Sequence, residues 1–86
     1  MSKEELVKII IPFIWSKFKV FLNNPSYFVR GEDVLASVFM RGEDDVQLFI
    51  AEINKKLKSL ENPKPKRLRY IKNLTYHDVL TKFVKL

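Results

Sequence analysis

Six side chains within a short stretch carry the most suggestive chemistry in the chain: Lys64, Lys66, Arg67, Arg69, Tyr70 and Lys72. Pro63 and Pro65 bar this stretch from a helix, so the chain is expected to leave Glu61 extended. An extended cationic run can follow a phosphate backbone, displacing its counterions, while Tyr70 stacks on a base or a sugar. A second reading is available, because Arg67, Arg69 and Ile71 alternate with Leu68, Tyr70 and Lys72 as in a short edge strand. Charged residues guard such edges against aggregation. The distribution of charge favours the first reading. Residues 1–61 hold nine Lys/Arg and nine Asp/Glu, whereas residues 62–86 hold seven Lys/Arg against Asp78 alone, which is the whole net charge of +6. An excess confined to one segment points to a polyanionic partner, most commonly DNA or RNA.

The other chemically capable residues are few. The absence of cysteine removes disulfides, thiolate metal sites and thiol nucleophiles together. His77 is the single histidine and has no serine or second histidine beside it, so it reads as a surface or capping residue. Glu32, Asp33, Glu43, Asp44 and Asp45 form an acidic cluster, but they lack the alternating spacing and the glycine of a calcium loop. Their expected role is to place negative charge at helix starts. No catalytic, cofactor or metal constellation emerges, so the expectation is a non-enzyme with no cofactor, no metal and no small-molecule substrate.

Aromatic side chains supply a second kind of candidate. From Leu6 to Leu22 nearly every residue is apolar, and Lys8, Pro12, Ser16 and Lys19 form one narrow stripe that could face solvent. An 86-residue chain buries only about 60–65% of its unfolded surface. Most of these side chains are expected in the core, and whatever remains exposed of Phe13, Trp15, Phe18 and Phe21 is the candidate partner-docking face, since such anchors dominate interface energies. Lys8, Lys17 and Lys19 interrupt the apolar run, and no small-residue cleavage site follows it, so neither a membrane span nor a signal peptide is expected. A cytoplasmic protein without membrane contact follows.

The elements that must position these groups are mainly helical. Ser2 with Glu5 is a capping box that starts the first helix, Pro12 should kink or split it, and Asn23-Asn24-Pro25 should end it. The connector at residues 26–30 could be strand or turn. Residues 31–40 read as a compact helix opened by Gly31-Glu32-Asp33 and closed by a left-handed Gly42. The tetrapeptide Arg-Gly-Glu-Asp begins at both Arg30 and Arg41, which suggests one helix-start solution used twice. Residues 43–60 carry Val46, Phe49, Ile50, Ile53, Leu57 and Leu60 on one stripe, with acid at the start, Lys55, Lys56 and Lys58 at the end, and a Glu52–Lys56 pair. Thr75 with Asp78 caps a last helix whose stripe is Tyr76, Val79, Leu80, Phe83 and Val84. The rival arrangement pairs residues 68–72 with 74–80 as a β-hairpin.

The expected fold is thus a mainly α, compact domain of three to four helices spanning residues 1–86. It has a helix-turn-helix-like centre and at most a short, wing-like β element near residues 66–72. Residues 1–61 form a charge-neutral helical core and residues 62–86 a basic segment with the last helix. In order and size, residues 32–80 resemble winged-helix domains, and the short, basic, cysteine-free chain resembles small archaeal accessory proteins of replication and transcription. The helix offered for base reading in such folds presents its N-terminal residues, which here are Glu43, Asp44, Asp45 and Gln47. Carboxylates there face phosphates badly. The expected function is therefore a non-enzymatic accessory or adaptor subunit of a nucleic-acid-processing complex. It would dock a larger protein through aromatic surface and touch DNA or RNA through the basic segment. The alternative is a free-standing winged-helix DNA-binding transcription regulator, dimeric through the first or last helix.

Overall fold

The computed structural model describes residues 2–60 and 67–83. The architecture is a mainly α domain of four helices, α1 (Lys3–Phe21), α2 (Leu35–Val38), α3 (Glu43–Ser59) and α4 (Tyr76–Phe83). Among the described residues, extended pairing is confined to two isolated antiparallel bridges, Leu22 with Phe39 and Val34 with Thr75.

Helix α1 begins as its capping box dictates. The Ser2 hydroxyl accepts from the Glu5 N–H at 3.1 Å and donates to the Glu5 carboxylate at 3.3 Å. Pro12 does not split the helix, which runs unbroken through it. It lies on the exposed side, where water can satisfy the carbonyl it frees, while Ile10, Ile14 and Phe18 bury the opposite row. Helix α3 buries Val46, Phe49, Ile50, Ile53 and Leu57 against α1 and α2, as its spacing requires.

The expected helix over residues 31–40 shortens to the single turn of α2. The reason is Asp33, which folds the preceding residues into a turn instead of starting a helix. Its carboxylate accepts from the Arg30 N–H and the Tyr27 hydroxyl, both at 2.8 Å, and its own N–H donates to the Arg30 carbonyl at 3.0 Å. Those bonds, led by the Arg30 N–H, favour the ionised carboxylate and lower its pKa below the ordinary value. The second Arg-Gly-Glu-Asp copy uses the residue after its own end. Asp45, 2% exposed, accepts from the Arg41 N–H at 2.9 Å and from Arg41 Nε at 2.9 Å. Both copies thus hold an arginine N–H with a downstream aspartate, but only the second directly begins a helix.

Gly42 precedes α3 with φ 57° and ψ −130°, so it is the N-terminal cap of α3, not the last residue of the preceding helix. Side chains are strained at that combination, and an added Cβ would also sit 3.6 Å from the Ala36 carbonyl oxygen. Gly42→Ala is expected to destabilise the domain by about 1–3 kcal/mol. The measurement is a shift of the urea midpoint at constant slope; an unchanged midpoint would refute this account of the corner.

Helix α4 settles the choice between helix and hairpin at residues 74–80. The Thr75 N–H donates to the Asp78 carboxylate at 3.0 Å, and the Asp78 N–H donates to the Thr75 hydroxyl at 3.1 Å. The remaining early N–H groups find partners across the fold: Tyr76 donates to the Asp33 carbonyl at 3.1 Å and His77 to the Gly31 carbonyl at 2.9 Å. The Asp33 turn therefore finishes the cap of a helix more than forty residues downstream, which satisfies donors that any helix start leaves open. Val84, expected to extend this stripe, lies outside the described residues.

An aromatic cluster joins the elements. Phe18 is fully buried and stacks on Phe49 with ring centroids 5.1 Å apart; Tyr76 at 5.1 Å and Trp15 at 5.5 Å meet it edge-on, and Phe39 lies at 6.0 Å. One side chain thus ties α1, α3, α4 and the corner after α2 together.

Candidate nucleic-acid interface

The described part of the basic segment is not a strand. Residues 67–71 run beside α3 without regular structure, and the backbone of Leu68 is held by a side chain. The Asn54 amide donates from Nδ2 to the Leu68 carbonyl at 2.9 Å, and its Oδ1 accepts from the Leu68 N–H at 2.7 Å. A primary amide presents the same donor and acceptor as a peptide, so Asn54 takes the place of a neighbouring strand. Leu68 is buried between Arg67 and Arg69, which are both exposed. The expected alternation is limited to residues 67–69, because Tyr70, Ile71 and Lys72 are all exposed.

Between this segment and α3 lies a groove of about 940 Å³ lined by Gln47, Ile50, Ala51, Arg67, Leu68, Arg69, Tyr70 and Lys82. Its lining is partly apolar, and its cations come from two elements, the segment and α4. Among the described residues none of Arg67, Arg69 and Lys82 forms an ion pair. Tyr70 is 38% exposed at the wall. Its hydroxyl pKa is raised by desolvation first and by the facing Glu43 carboxylate second, so Tyr70 is a neutral donor in the groove.

The expected contact residues therefore divide. Arg67, Arg69 and Tyr70 come together in the groove; Lys72 is exposed on the turn that follows, where Asn73 adopts φ 59°. Lys64 and Lys66 lie outside the described residues. Asn54 and Lys82 escaped the sequence reading, and Gln47 entered it only as part of the start of α3. Asn54 offered one signal, a polar amide adjoining the otherwise apolar stripe of α3. Lys82 offered none, because its proximity to Arg67 depends on how α4 packs.

The four expected docking aromatics also divide. Phe18 is corrected from surface to core, because it is fully buried among four rings. Phe21 is half-buried against Phe39 and Phe49. Phe13 is half-buried and covered by two ammonium groups, Lys17 Nζ at 5.3 Å and Lys56 Nζ at 5.6 Å from its ring centre. Lys17 also pairs with Glu52 across the helices at 3.4 Å, so Glu52 does not make the expected pair with Lys56 along α3. Trp15 is half-buried with its ring 5.7 Å from that of Phe28, which is 73% exposed. The most exposed aromatic is thus Phe28, from the connector and not from the helix. It was overlooked because it belongs to no periodic stripe.

Among the described residues, no group of three or more metal-ligating side chains assembles and no helix is long and apolar enough to cross a membrane. The acids have other duties: Asp33 holds its turn and Asp45 holds Arg41. His77 is exposed in the first turn of α4. Glu43 and Asp44 remain exposed at the start of α3. Compared with protein-family profiles, with curated proteins and with solved structures, the chain matches none.

Proposed function

We propose that this protein is a non-enzymatic accessory or adaptor subunit of a cytoplasmic nucleic-acid-processing complex, one serving replication or transcription. The basic segment contacts DNA or RNA, and the aromatic surface around Trp15 and Phe28 docks a larger protein. The observation that carries this reading is the groove, where Arg67, Arg69 and Lys82 gather without acidic partners among the described residues. Like charges brought together without internal neutralisation repel one another, and a polyanion relieves that repulsion. The acidic start of α3, at the same end of the helix as the groove, supports the adaptor over a free-standing winged-helix regulator. Exposed Glu43 and Asp44 would repel phosphates if that helix start entered a major groove.

Titrating labelled nucleic acid at several salt concentrations tests the contact. Binding is expected to weaken linearly on a log-log scale, and Arg67→Ala with Arg69→Ala should make the slope shallower by roughly 1.5–2. The intact chain should also recover a larger protein stoichiometrically from native extract, and Phe28→Ala should abolish that recovery. A wild-type protein that binds no nucleic acid at low salt would overturn the contact. Tight sequence-specific duplex binding without any larger partner would favour the regulator.

A further inference from the structure

We infer that the groove between α3 and residues 67–70 takes a single strand of nucleic acid and not a duplex, an inference that rests on the nucleic-acid contact just proposed. Phosphates alone would require only cations on a convex or flat face. This site is concave, and its lining includes Ile50, Ala51 and Leu68 beside the cations. Apolar lining has no use for a phosphate, but it accommodates the flat faces of bases, which a duplex keeps stacked inside itself. Tyr70 at the wall supplies a partly exposed aromatic face, and Gln47 supplies an amide able to donate and accept at a base edge.

The surrounding charge narrows the choice further. Arg67 and Arg69 are exposed on either side of Leu68 in the chain, and Lys82 comes from α4, so the cations lining the groove belong to two separate elements. A chain threading the groove can place bases inward and phosphates outward onto these cations. At the Tyr70 end stands Glu43, which faces the tyrosine hydroxyl, with Asp44 exposed next to it. A rigid duplex laid across the groove would bring phosphates against those carboxylates. A flexible strand can bend away from them.

The charge also separates a nucleic-acid strand from an acidic peptide. A peptide would satisfy the cations but would leave the Tyr70 face without a stacking partner, so the two occupants differ in their dependence on that ring. A nucleic-acid strand uses both.

The experiment compares the full chain binding a fluorescent oligothymidylate of about 12 nucleotides with a duplex of the same length, by anisotropy at matched salt. The expected result is roughly tenfold tighter binding of the single strand. Tyr70→Leu should weaken that binding roughly tenfold with an unchanged salt slope, and Tyr70→Phe should restore it. Equal or tighter binding of the duplex would overturn the single-strand inference and leave the nucleic-acid contact standing. Binding of neither would overturn both. Polyglutamate that competes as well as the oligonucleotide, with Tyr70→Leu without effect, would assign the groove to acidic peptides and overturn the inference. Circular dichroism of each variant verifies that its helices are retained.

Discussion

Replacing Phe18 by alanine is expected to cost about 3–5 kcal/mol, which is most of the stability available to a domain of this size. The side chain is fully buried, and the four rings around it come from α1, α3, α4 and the corner after α2. Those rings belong to different backbone elements and cannot all move inward, so truncation leaves a cavity in addition to the lost transfer energy. Phe28→Ala is the control. Its ring is 73% exposed and touches Trp15 alone among the aromatic pairs, so the expected cost is below about 1 kcal/mol. Urea denaturation of the two variants measures the difference directly. Comparable losses would mean that the assignment of Phe18 to the core and Phe28 to the surface is mistaken.

The second large effect is expected at Asn54. Asn54→Leu keeps much of the side-chain volume but removes both hydrogen bonds to Leu68. The buried Leu68 then leaves an N–H and a carbonyl without their partner, at an expected cost of about 1–3 kcal/mol. The functional loss should exceed what stability explains. Asn54 touches none of the proposed ligand, yet it fixes the residue between Arg67 and Arg69, so releasing it lets both cations move away from the groove. Under conditions where the variant is fully folded, nucleic-acid affinity should fall while the salt slope changes little, since the charges are still present. If stability and affinity both match the parent chain, Asn54 does not position the segment. Asn54→Gln tests geometry as well, because the same amide on a longer stem cannot reproduce both short bonds without moving the segment.

What was legible in the sequence was short-range. Ser2 with Glu5 and Thr75 with Asp78 cap helices because each pair is three residues apart, and their reciprocal bonds form as soon as one turn does. The apolar stripe of α3 was equally readable, since helical geometry alone puts Val46, Phe49, Ile50, Ile53 and Leu57 on one face. The mainly helical class, the existence of α1, α3 and α4, and the location of excess charge all followed from such local rules. Arg67, Arg69 and Tyr70 were identifiable as candidates from composition.

Tertiary structure decided which competing local preference prevailed. Pro12 could have broken α1, but packing of the opposite face keeps the helix whole. Asp33 could have started a helix, but it bonds to Arg30 and Tyr27 and leaves α2 a single turn. Residues 67–71 could have paired as a strand, but the nearest matching donor and acceptor is the Asn54 amide on α3. The groove belongs to this second kind of outcome, because Gln47, Arg67 and Lys82 become neighbours only when α3, the basic segment and α4 are packed. Periodicity states which face of a helix is apolar, but the partner that covers that face is selected by shape and hydrogen-bond matching between residues far apart in the chain.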